Sequence, residues 1–209
     1  MIRYKYPKTL HLPWSLGITS DDKVIPTVFP FENKRVICTK KMDGESCTIY
    51  SDGYMHARSI DGHNHESQDW VKGNIASIVA LQLNPGWRIC GENLYARHSI
   101  AYNNLSTFFM VYSIWNKDNE ALSWDETKEY CEILGLKTVP ILYDGIWDQK
   151  IIKKLWDDIS FTDEGYVVRL ADSFTFDKFS ESVAKFVRQD HVQTDEHWKN
   201  SWIPNKLSI

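Results

Sequence analysis

Short runs of β-branched, aromatic and other apolar residues recur along the chain at strand-like lengths from Arg35 onward. They cover Val36 to Thr39, Cys47 to Tyr50, Tyr54 to Ser59, Trp87 to Glu92, Phe108 to Trp115, Gly165 to Leu170 and Val183 to Arg188. Ser51-Asp52-Gly53 between the second and third runs reads as a hairpin turn, so the first strands are expected to be antiparallel. A different period runs from Ser67 to Leu83, where Trp70, Val71, Ile75, Ile78, Val79 and Leu83 fall at helical spacing before Asn84-Pro85-Gly86 stops them. Ser123-Trp124-Asp125-Glu126 has the form of a capping box opening a second helix that Gly135 closes, and a third helix is expected from Gln149 to Asp158. Residues 1–33 carry Pro7, Pro13, Pro26 and Pro30 and are expected to wrap the core irregularly, as a lid or a floor. Strands in groups with helices inserted singly predict an α+β fold of mainly antiparallel sheets.

Composition narrows the class without defining it. A chain of 209 residues, 43% hydrophobic and 13% aromatic, is long enough for one well-packed domain spanning 1–209. No stretch approaches eighteen apolar residues and the start lacks a signal-like apolar run, so a cytoplasmic protein with no membrane association is expected. The four cysteines form no C-x-x-C pair, and Cys38, Cys47 and Cys90 lie in apolar runs where a free thiol packs as a small hydrophobe. The formal charge of −4 provides no global basic field, so any nucleic-acid surface must be local.

Lys41-Met42-Asp43-Gly44 is the sharpest chemical signal: a lysine at a strand end, followed by an acidic-Gly turn and another strand. Side-chain alternation places Ile37, Thr39 and Lys41 on one face and Val36, Cys38 and Lys40 on the other, so the two lysines are expected to diverge. A free lysine is neutral only about four times in ten thousand at pH 7, and a nucleophilic one needs its pKa depressed by burial or neighbouring cations. Lys185, Arg169 and a bound metal ion are the candidate cations. Taken alone, the four letters fit a surface Lys-Lys pair before a turn more readily than a nucleophile.

Further motifs in fixed order change that balance. After Lys41-Met42-Asp43-Gly44 come His56-Ala57-Arg58-Ser59, Cys90-Gly91-Glu92-Asn93, the aromatic strand Phe109 to Ile114, Glu164-Gly165-Tyr166-Val167-Val168-Arg169 and Val183-Ala184-Lys185-Phe186-Val187-Arg188. Between about Lys34 and Arg188 the chain resembles the covalent nucleotidyltransferases, most closely the ATP-dependent RNA ligases. The resemblance implies a nucleotidyltransferase, ATP-grasp-like ligase core with flanking helices, and Lys41 as the residue that carries AMP. It implies further that Arg58 holds a 5′-phosphate or the nucleotide, that Glu92 binds the ribose and helps place a metal, and that Tyr112 stacks on adenine. Glu164 is then metal-associated, Arg169 completes the E-G-x-V-x-K/R motif in the nucleotide site, and Lys185 binds the α-phosphate, with Asp43 of the nucleophile turn also among the implied nucleotide-binding residues. ATP and Mg²⁺ (or Mn²⁺) are the implied cofactors, and RNA ends bearing a 5′-phosphate and a 3′-hydroxyl the implied partners.

Three positions depart from the family pattern: Lys40 stands where an acid often precedes the nucleophile, Val187 where a second lysine is common, and Ser113 where an acid often follows the aromatic residue. Only 21 residues follow Arg188, so no C-terminal OB-fold is expected, which leaves room for a partner protein supplying a missing domain. A non-catalytic nucleotide- or RNA-binding protein with a ligase fold, a DNA ligase, and a GTP-using capping-type enzyme remain alternatives. Arg97, His98, His191, His197 and Lys199 among aromatic residues form a candidate RNA-contacting set. His63-Asn64-His65-Glu66 contains an H-x-H zinc pattern but reads better as a polar turn.

Overall fold

The computed structural model describes residues 1–61, 65–158, 163–189 and 202–208. Two β-sheets pack face to face. The first holds Leu10–His11 (β1), Arg35–Lys41 (β2), Ile141–Ile146 (β9), Gly165–Leu170 (β10) and Val183–Val187 (β12), in the order β1-β12-β10-β2-β9. The second holds Glu45–Tyr50 (β3), Met55–His56 (β4), Arg88–Asn93 (β5), Phe109–Trp115 (β6), Glu120–Ala121 (β7) and Phe174–Thr175 (β11), in the order β11-β7-β6-β5-β3-β4, with Lys137–Thr138 (β8) alongside β6. Pairing is antiparallel except at β1 with β12 and at β6 with β8. The expected α+β architecture is therefore present.

Alternation within β2 divides the core. Val36 and Cys38 turn outward into a cluster with Phe31, Tyr166, Val168 and Phe186, covered by the helix Gln149–Asp158 through Ile152 and Leu155. Ile37 points inward and packs with Leu94, Met110 and Trp124, between the sheets. The outer face of the second sheet is covered by a helical run over 66–82, in which Val71, Ile75 and Val79 are buried. The run begins as a 3₁₀ turn and widens into a π turn at Lys72–Ala76, so its apolar positions are served by a mixed helix. The second helix, Trp124–Ile133, opens on the expected capping box: Ser123 Oγ accepts from the Glu126 N–H at 3.3 Å while Glu126 Oε2 accepts from the Ser123 N–H at 2.9 Å.

Three local differences from the sequence expectations bear on the site. The β3–β4 hairpin ends at His56, three residues early, leaving Arg58 exposed on the rim. Ile141–Ile146 is a strand where no element was expected; it lies at the sheet edge, where Gly145 is tolerated. Residues 1–33 are largely irregular, but Leu10 and His11 pair in parallel with Ala184 and Lys185 and so extend the first sheet beyond its lysine strand. No helix among the described residues is long and apolar enough to cross a membrane.

Candidate active site

Strand register brings the motifs together. Gly165 stands opposite both Lys41 and Val187, and Val167 opposite both Thr39 and Lys185, so β2, β10 and β12 present one continuous face toward the second sheet. Glycine at 165 is dictated by close approach: a Cβ there would lie 2.0 Å from the Phe186 carbonyl oxygen. On the facing sheet Glu92 pairs with Ser46 and Met110, next to the turn carrying Asp43.

Lys41 Nζ donates to Glu164 Oε1 at 2.6 Å. The adjacent Lys40 diverges as expected and pairs with Asp163 at 2.7 Å, so the basic residue before Lys41 has its own buried acid. Burial opposes the charge on Lys41, but Glu164, Glu92 and Asp43 outweigh it and raise its pKa above the ordinary lysine value. The expectation of a depressed lysine is thus reversed, because three acids face this amine. Lys185 shows the opposite: burial, and then the charge of Lys41, lower its pKa, with Arg58 adding to the effect. Arg58 therefore lies within electrostatic reach of Lys185 while remaining exposed.

The acids are perturbed in turn. Burial raises the Glu92 carboxyl to about 8, with Lys41 opposing and Glu164 and Asp43 reinforcing the shift. Asp43 is pushed up to about 6 by burial and by Glu164, against the hydrogen bond from Ile100. Among the described residues no three His, Cys, Asp or Glu side chains form a ready-made metal cage. Oxygen donors from Glu92 and Glu164 nevertheless suit a hard cation that keeps several waters and shares its coordination with phosphate.

Tyr112 is half-buried between the sheets, its hydroxyl 2.6 Å from Ser46 Oγ and its ring edge-packed on Tyr6 at 5.0 Å. Arg169 is only 4% exposed and donates to the carbonyl oxygens of Leu170, Tyr112 and Leu122 at 3.0, 3.4 and 2.7 Å, beneath the rings of Trp124 and Phe174. Its guanidinium thus bolts β10 to the opposite sheet instead of reaching Lys41. Arg169→Leu should destabilise the protein by about 3 kcal/mol in urea unfolding, because buried carbonyls lose their charged donor. A loss below about 1 kcal/mol would contradict this role.

Val187 explains its own departure from the family pattern. It is buried, its N–H donates to Ser15 Oγ at 2.9 Å, and its carbonyl accepts from Leu16 and Gly17, so the N-terminal segment covers the position a second lysine would take. Sequence reasoning missed Asp163, Ser46 and the residues that grip Asp43; only Asp163, beside the Glu164-Gly165 motif, carried a usable signal. In the candidate RNA-contacting set Arg97 is exposed and His98 half-buried, while His191, His197 and Lys199 lie outside the described residues. His63 does too; His65 accepts from the Ser67 N–H at 3.2 Å and caps the helical run.

A lysine at a strand end, ringed by acids and flanked by a second strand lysine between two antiparallel sheets, defines a nucleotidyltransferase-type core. The family model described as RNA ligase matches residues 34–187, well over half of the sequence, and the chain belongs to that family. Solved structures share the fold. An archaeal ATP-dependent RNA ligase is 18% identical with a TM-score of 0.60, covering 88% of this chain and 48% of its own. A mutant of the Naegleria gruberi RNA ligase with ATP and Mn is 17% identical with a TM-score of 0.56, covering 88% of this chain and 57% of its own. The same ligase with PPi is 19% identical, also at 0.56. The chain thus spans about half the length of the solved ligases it matches. No curated protein sequence matches it.

Proposed function

We propose that the chain is an ATP-dependent RNA ligase that works through a lysyl-AMP intermediate on Lys41. The observation that carries this reading is the 2.6 Å contact of Lys41 Nζ with Glu164, in a cleft where Glu92 and Asp43 also act on the same amine. The family match and the likeness to ligases solved with ATP, Mn and PPi support it.

In the first step Lys41 Nζ attacks the α-phosphorus of ATP, a P–N bond forms, and the P–O bond to pyrophosphate breaks. The amine must shed a proton first, and Glu164 Oε1 is the acceptor already within hydrogen-bonding distance. Lys185, with its charge held in a partly dry cleft, stabilises the negative charge on the transferring group. A bound Mg²⁺ or Mn²⁺ at Glu92 and Glu164 would supply positive charge for the phosphate oxygens. Tyr112 offers a ring for adenine, and Arg58 at the rim a cation for the 5′-phosphate of RNA. AMP then passes to that 5′-phosphate, and the 3′-hydroxyl of the second end displaces it to leave a phosphodiester.

Incubation with α-labelled ATP and Mg²⁺ tests the reading. The expected result is a covalently labelled protein whose label chases onto 5′-phosphorylated RNA, with labelling in Lys185→Ala slowed about a hundredfold. Preferential labelling by GTP would indicate a capping-type enzyme, and no label anywhere between pH 6 and 9 would end the proposal.

A further inference from the structure

The turn that follows Lys41 is gripped by a loop outside both sheets. Asp43 Oδ2 accepts from the Ile100 N–H at 2.7 Å, and the Asp43 N–H donates to the Tyr102 hydroxyl at 2.9 Å. One loop therefore fixes both the carboxylate and the backbone of a residue two positions from the nucleophile.

That loop is held in turn by residues 202–208. Asn205, 5% exposed, accepts from the Tyr102 N–H through Oδ1 at 2.9 Å and donates to the Leu94 carbonyl through Nδ2 at 2.8 Å. Its own N–H donates to the Tyr95 carbonyl at 2.8 Å, and the Lys206 N–H donates to the Tyr102 carbonyl at 2.9 Å. Trp202 packs against Tyr95 with ring centroids 5.4 Å apart. Both backbone groups of Tyr102 are thus satisfied by Asn205 and Lys206, and its hydroxyl is left aimed at Asp43.

We infer that residues 202–208 form a latch that sets the attack geometry of Lys41, with Asn205 and Tyr102 as positioning residues. The inference rests on the ligase reading of Lys41. A nucleophile must approach phosphorus to about 3–3.5 Å in line with the leaving group, and a displacement of about 1 Å from a distant change can slow reaction about a hundredfold. The hydrogen bonds of Asn205 and Lys206 described above run to the segment 94–102 that holds Asp43. Tyr112 and Lys185, the groups assigned to adenine and phosphate, stand instead on β6 and β12. Loosening it should therefore slow the chemical step at saturating ATP and leave ATP affinity nearly unchanged.

The test compares wild type, Tyr102→Phe, Asn205→Ala and the double variant by single-turnover self-labelling over a range of ATP concentrations, with thermal melting alongside. Tyr102→Phe removes one hydroxyl and should melt like wild type, yet reach a maximal labelling rate about tenfold lower, with half-saturating ATP within about twofold. Asn205→Ala should slow labelling at least as much, and the double variant should be no more than about twofold slower than Asn205→Ala, since both changes break one relay. Should Asn205→Ala fail to fold, Tyr102→Phe decides alone. A wild-type protein that labels while Tyr102→Phe labels equally fast, or two single effects that multiply, would overturn the latch. A wild type that never labels removes the ligase reading and the latch with it.

Discussion

Lys41→Arg will fold and melt close to wild type while losing covalent labelling by roughly a thousandfold or more. The guanidinium can still pair with Glu164 and offset Glu92 and Asp43, so the charge balance of the cleft survives. What it cannot do is lose its proton near neutral pH, and a permanently protonated group is no nucleophile. Lys41→Ala separates the two roles. It should abolish labelling equally, but it also leaves three acids facing one another, so its melting temperature should fall further below wild type at pH 8 than at pH 6. Asp43 and Glu92, pushed up to about 6 and about 8, become ionised across that interval. Labelling gels and melting curves at the two pH values measure both effects. Retained labelling in Lys41→Arg would remove Lys41 from the nucleophile position.

Glu92 yields the second large effect, a pH dependence with a definite sign. Its carboxyl is raised from an ordinary 4.5 to about 8 by burial, so the folded protein holds this proton more tightly than the unfolded chain does. The stability contributed is complete below about 4.5 and is lost as pH rises through about 8. His11 and His56 act in the other direction, because burial lowers both. The clean observable is therefore the difference between wild type and Glu92→Gln, in which the histidines cancel. The variant should gain melting temperature relative to wild type between pH 6 and 8.5, and its labelling should fall about a hundredfold. For wild type, ATP with Mg²⁺ should raise the melting temperature more at pH 8.5 than at pH 6, because binding draws on the ionised carboxylate. A difference curve that is flat over this range would show that Glu92 is not held protonated.

Most of the scaffold was legible from local patterns. The capping box at Ser123, the helical period from Trp70 to Leu83 and the divergence of Lys40 from Lys41 each follow from residues near in sequence, and each is present in the structure. The face shared by Thr39, Val167 and Lys185 needed only strand alternation once the strands were paired. What local pattern could not provide was charge balance. The pKa of Lys41 depends on Glu92 and Glu164, 51 and 123 positions along the chain, and whether acids or cations dominate is decided by distance in space. Arg169 failed to be legible for a related reason: its motif position suggested the nucleotide, whereas the carbonyls of Tyr112 and Leu122 take its donors. Asn205 carried no signal at all, since an asparagine in a polar stretch becomes informative only when its contacts with Tyr102, Leu94, Tyr95 and Ala96 are seen.

The first sheet is stitched from residues near 10, 40, 140, 170 and 185, with the Lys185 strand between two of its partners. Such non-local pairing is slow to form. While the ribosome is still translating the region before Glu164, Lys41 has neither its acid nor the second lysine beside it. On the proposed mechanism, a chain translated only as far as Glu164 could not load itself with nucleotide, because the strand carrying Lys185 must first be made and settle between β1 and β10.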